Sequence, residues 1–168
     1  MASSFKKSLD VLVKSKEFKK WKETSKESYL ASGFIMLNED YNENLDNLEW
    51  QIDFYSPSKD LMTSFFIKDK IISLKEGQKI LKKEDVTIEE LKLDKVKISL
   101  KDALAKIEKK YPKDAPNKVI IILQSVKVPV WNISFLTSSF NLLNVNIDAE
   151  QGDIIKESMK PIFEKFKK

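Results

Sequence analysis

The sequence predicts an α+β fold made of two similar helix-plus-antiparallel-sheet units in tandem, followed by a C-terminal helix. Three observations carry this. A 14-residue segment recurs without gaps at an offset of 81, Glu49–Met62 beside Val130–Leu143. A helical stripe precedes a strand-like run in each half. The chain has 168 residues and is 42% hydrophobic, enough for a core without staples, and it has no Cys.

The repeat has the pattern W-x-I-x-F-x-[ST]-x-S-x-[DN]-L-[LM]. Trp50, Ile52 and Phe54, like Trp131, Ile133 and Phe135, alternate with polar residues, so each trio lies on one face of a strand. The Ser/Pro/Asn/Asp stretch that follows reads as a turn, and a second strand begins in each copy, over Leu61–Lys68 and Leu142–Asp148.

Upstream in the second copy, Ser99 caps a helix bearing Leu100, Ala103, Leu104, Ile107 and Tyr111, which Pro112 and Pro116 end. A strand over Lys118–Gln124 follows. In the first copy the helix runs from about Ser8 to Glu23, broken or recapped at Ser15, and a strand spans Tyr29–Leu37. Each half then reads helix, strand, strand, strand. Gln78–Leu81 hints at a short helix. Ile155, Met159, Ile162, Phe163 and Phe166 lie on one helical face after the second copy, although Pro161 would sit inside that helix. The resulting division is 1–74, a linker 75–98, 99–157, and a basic helix 158–168.

The second half resembles the PepSY domain, a small module of metallopeptidase propeptides and related proteins. The matching residues are the helix ending in Tyr111-Pro112, then Pro129–Ile133, and Ile147-Asp148-Ala149-Glu150-Gln151-Gly152-Asp153-Ile154-Ile155, which is similar to the family's V-D-A-x-T-G-E-V-L end. The first half departs from it, since Ile67–Ile72 lacks the Gly. The resemblance implies a helix on an antiparallel sheet, a role in binding or inhibiting another protein, and no catalytic residues.

Composition narrows the chemistry. His, Cys and Arg are absent, and all 30 basic residues are Lys. That excludes His-dependent triads, thiolate nucleophiles and the usual zinc sites. The net charge of +4 is concentrated at the two ends, without the Arg-bearing stripe of a nucleic-acid binder. No membrane span or uninterrupted signal-peptide core is present, so the expected compartment is the cytoplasm, or outside it if an export signal was removed.

Asn38–Asn47 is rich in oxygen ligands, and Asp40, Asn42 and Asn44 take positions 1, 3 and 5 of an EF-hand loop. Leu45 replaces the required Gly and Gln51 the bidentate Glu, so no metal or other cofactor is expected. Ser56-Pro57-Ser58-Lys59 fits S-x-x-K but falls in a turn. Alignment at the offset of 81 sets Met62, Ser64 and Phe66 beside Leu143, Val145 and Ile147, toward the helix. Leu61, Phe65 and Ile67, with Thr63, then form an outer face that is apolar in the first copy, whereas Leu142, Asn144, Asn146 and Asp148 make its equivalent mostly polar in the second.

The function expected is non-enzymatic protein binding, with Leu61, Phe65, Ile67 and the loop residues Asp40, Asn42 and Asn44 as partner-binding candidates. A membrane-surface protein using basic terminal helices is the alternative. A small hydrolase is a weaker one.

Overall fold

A computed structural model describes residues 3–79 and 87–163. The architecture is α+β. In chain order, α1 (Ser4–Lys14), α2 (Lys16–Glu23), β1 (Tyr29–Asn38), β2 (Gln51–Ser56), β3 (Leu61–Lys68) and β4 (Ile71–Lys79) make the first half. The second half is α3 (Leu100–Lys110), β5 (Pro116–Val126), β6 (Val128–Thr137), β7 (Asn141–Asp148) and β8 (Ile154–Pro161). The strands form one eight-stranded sheet in the order β4-β3-β2-β1-β5-β6-β7-β8, with every neighbouring pair antiparallel. Each half is thus a four-stranded meander, and the halves join through their first strands, β1 and β5.

The helices lie on one face of this sheet. Ser15 ends α1 and caps α2, its hydroxyl accepting from the Phe18 amide at 3.1 Å. Phe18 and Trp21 of α2 pack on Phe54 and Phe65, with ring centroids 5.1–5.6 Å apart. Phe5 of α1 lies on Gly33 at the sheet centre, so close that a Cβ there would stand 2.1 Å from Phe5 Cε2. In the second half α3 buries Leu100, Ala103, Leu104 and Ile107. Trp50 and Trp131 are 1% and 2% exposed and meet where the halves join, 6.2 Å between centroids. Each indole N–H is satisfied, Trp50 by Ser4 Oγ at 3.0 Å and Trp131 by the Ile98 carbonyl at 2.9 Å.

Residues 87–98 lace the halves together. Leu91 is buried, and its amide donates to the Leu30 carbonyl, while the Lys97 and Ile98 amides both donate to the Ala149 carbonyl.

Two sequence expectations are corrected. The first is the C-terminal helix. Residues 154–161 form the edge strand β8, because the turn at Gly152 (φ +90°) returns the chain alongside β7. Pro161 is tolerated at the end of an edge strand, where it would have broken a helix. The part of the expected helix over 164–168 lies outside the described residues. Gln78 and Lys79 belong to β4 rather than to a short helix, and Ile80 and Leu81 lie outside the described residues.

The second correction concerns the faces of β3. Phe65 pairs with Ile52 in register and is 0% exposed; Ile67 is buried, Leu61 half-buried, and Phe66 is the exposed one, at 38%. Phe65 and Ile67 therefore point toward the helices and offer no outer face for a partner. The reason is one residue of turn length. Four residues, 57–60, separate β2 from β3, whereas three, 138–140, separate β6 from β7. The ungapped offset of 81 holds up to the turn and becomes 80 beyond it, so Phe65 corresponds to Val145 and Ile67 to Ile147. A slip of one residue exchanges the two faces of a strand.

Candidate functional site

The face of the sheet away from the helices is open, and its composition differs between the halves. Because successive residues alternate, it is built from Met62, Ser64 and Phe66 of β3, Gln51 and Asp53 of β2, and Ser32, Phe34 and Met36 of β1. Ile120, Ile122 and Gln124 of β5 continue it, followed by Asn132 and Ser134 of β6 and Asn144 and Asn146 of β7. Phe66, Gln51, Phe34, Ile122 and Asn132 stand side by side in one row across five strands. Ser64, Asp53, Ser32 and Gln124 form the next.

Asp53 is the unusual member. It is 8% exposed, and its two oxygens each accept from one neutral donor, Oδ2 from Ser32 Oγ and Oδ1 from Gln51 Nε2, both at 3.0 Å. Among the described residues it has no ion pair. A groove of about 410 Å³ opens beside it, lined by Ser32, Phe34, Gln51, Asp53, Ile122 and Gln124. At the corresponding place in the second half stands Ser134. There Asn144 Nδ2 donates to both Asn132 Oδ1 (2.7 Å) and Ser134 Oγ (2.8 Å), so these neutral groups bond to one another. Asn146 Oδ1 is buried and has no hydrogen-bond partner among the described residues.

The loop between β1 and β2 contains two single 3₁₀ turns, Tyr41–Glu43 and Leu45–Asn47, and leans on the second half. Tyr41 is buried with its ring 6.0 Å from that of Phe135. Burial, and next the neighbouring Glu108, push its phenol up to about 12. Asp40, Asn42 and Asn44 are all exposed, and the structure does not converge them on a point. Asn42 Nδ2 reaches Glu108 Oε1 on α3 at 3.5 Å, and Asn44 Oδ1 accepts from Asn47 Nδ2 at 3.0 Å. The acidic loop therefore acts as a strap from the first half to α3.

The remaining polar motifs have structural partners. Ser58 Oγ donates to Glu27 Oε1 at 2.6 Å and Lys59 Nζ to the Thr24 carbonyl at 3.5 Å, so the S-x-x-K turn is fastened to the end of α2. Glu89 accepts from the Lys127 amide at 2.8 and 2.9 Å, which holds the β5–β6 turn. Glu157 of β8 accepts from Lys110 Nζ (2.5 Å) and Tyr111 Oη (2.7 Å); these two bonds lower the carboxyl's pKa, and the one to Glu157 raises that of Tyr111.

The second half is one helix followed by a four-stranded meander whose last hairpin turns on Gly152, where the resemblance implied a helix on an antiparallel sheet. Residues 97–157 match the family described as "PepSY: Peptidase propeptide and YPEB domain". The second half is therefore similar to a PepSY domain. Among solved structures, the chain is similar to a "putative lipoprotein" from Clostridium difficile 630, at 14% identity and a TM-score of 0.53, over 86% of this chain and 90% of that one. At that identity the likeness is one of fold, and at 86% of this chain it extends beyond residues 97–157. No curated protein matches the chain. Among the described residues, no helix is long and apolar enough to cross a membrane.

In the sequence Asp53 is hidden within the alternating Trp, Ile and Phe of the repeat, which reads as a core pattern. The signal was present in the same motif: the residue between Ile52 and Phe54 is an acid in one copy, and its counterpart between Ile133 and Phe135 is Ser134.

Proposed function

We propose that the chain is a non-catalytic protein-binding module that engages a peptidase or a related partner through the helix-free face of its sheet, with the first half a second PepSY-like unit. The observation that carries this reading is that face. It spans both halves, displays Phe34, Met36 and Phe66 beside polar groups, and among the described residues no helix crosses it. Aromatic side chains within a polar surround suit a protein interface. The family description supports a peptidase as partner class. Together with the fold shared with a lipoprotein, it also supports a setting outside the cytoplasm, in place of the cytoplasmic one expected from composition.

The structure favours this reading over the membrane-surface alternative. That alternative used two terminal helices, but α1 turns Phe5 and Leu12 into the core, and residues 154–161 are a strand.

The test is capture of a partner from the native cell, reconstitution with the purified partner, and titration of the Phe66→Asp variant. Phe66 is exposed, so the variant should melt normally and bind at least about tenfold more weakly. Unchanged affinity would move the interface off this face.

A further inference from the structure

The groove beside Asp53 has the chemistry of a cation site. A carboxylate offers about four lone-pair positions, and here neutral donors fill two. A carboxylate so shielded from water, with no ion pair among the described residues, is costly to keep, and the cost falls when an opposite charge is brought in. Lys75 stands two strands away on the same face, opposite Ser64, and makes no ion pair with Asp53. In the second half the corresponding position holds neutral Ser134, which accepts from Asn144, so the charge is particular to the first half.

We propose that this groove receives the side chain of a lysine from a partner protein, its ammonium group against Asp53 and its alkyl stem along Phe34 and Ile122. The inference rests on the reading of the chain as a binding module and names the chemistry recognised. An ammonium group has three donors. Asp53, Ser32 Oγ and the Gln124 side-chain oxygen are acceptors lining the same 410 Å³ groove. Phe34 and Ile122 form its apolar wall, suited to the four-carbon stem. Guanidinium fits less well. It binds best to a carboxylate whose two oxygens are both free to receive its fork, and each Asp53 oxygen already holds a donor.

The experiment uses the whole chain, ¹⁵N-labelled and titrated with the peptide acetyl-Gly-Leu-Lys-Leu-Gly-amide. The matched peptides carry norleucine or arginine in place of lysine. Saturable shifts of the Ser32, Phe34, Asp53 and Ile122 amides are expected with the lysine peptide. The dissociation constant should rise at least about tenfold for the norleucine peptide and for Asp53→Asn, and less steeply for the arginine peptide. Absence of saturable shifts, or equal binding of the lysine and norleucine peptides, overturns the proposal without any variant needing to fold. Tighter binding of the arginine peptide overturns the preference for ammonium. A reconstituted partner that is lost with Phe66→Asp but kept with a normally folded Asp53→Asn would leave the module standing and remove this site.

Discussion

The two central hairpins, β2–β3 and β6–β7, show what one residue does to a repeat. Their first strands are near copies, with Trp, Ile and Phe facing the helices in both. Their second strands then run out of step, because the first turn has four residues and the second has three. What is kept is the buried face. Phe65 takes the place of Val145 and Ile67 that of Ile147, all four buried, although the offset of 81 that matches the first strands does not pair them. What is free to diverge is the open face, where Asp53, Phe34 and Phe66 in the first half contrast with the Asn and Ser groups of the second. Hydrophobic burial sets the register, and the turn accommodates it.

The largest expected effect separates the two faces of β3. Phe65→Asp would place a charge among Phe18, Trp21 and Phe54, and it should cost more than about 4–5 kcal/mol and leave the protein unfolded or nearly so. Phe66→Asp, one residue along, should cost less than about 1 kcal/mol, because that side chain faces solvent. Paired urea melts check this. Equal losses would mean that the register deduced from the Phe65–Ile52 pairing is wrong.

Next in size is the matched pair at the junction. Trp50→Ala and Trp131→Ala should each cost about 3–5 kcal/mol, with values close to one another, since both indoles are buried and hydrogen-bonded. A cost at one position much below that at the other would show that only one half needs its Trp, and that the halves differ in the core as well as on the open face.

The smallest effect probes the turns themselves. Each turn ends in a residue with positive φ, Asp60 at +52° in the first and Phe140 at +61° in the second. Asp tolerates that conformation and a bulky aromatic does so poorly. Phe140 is 57% exposed and stacks on Phe163 at 5.3 Å, a partial compensation. Phe140→Asn should therefore raise stability slightly, by less than about 1 kcal/mol. A fall in melting temperature of several degrees would show that the ring pair outweighs the strain it accompanies.

Much of this architecture is determined by local sequence. Ser99 followed by the stripe Leu100, Ala103, Leu104 and Ile107 requires only the helical period and a cap, and α3 begins and ends where those signals place it. The strand over Leu61–Lys68 and the burial of both repeat tryptophans follow likewise from alternation. Tertiary structure alone decided the rest. Residues 154–161 have apolar spacing that suits a helix, and they become a strand because β7 offers an unpaired edge just across the Gly152 turn. The open face could not be told from the buried face of β3 while both were apolar, because Phe65 and Phe66 are chemically alike and only pairing with β2 distinguishes them. Asp53 carries its charge in the sequence, but its lack of an ion pair among the described residues depends on which strands lie beside it. That is a long-range property, set when β1 and β5 join the two meanders into one sheet.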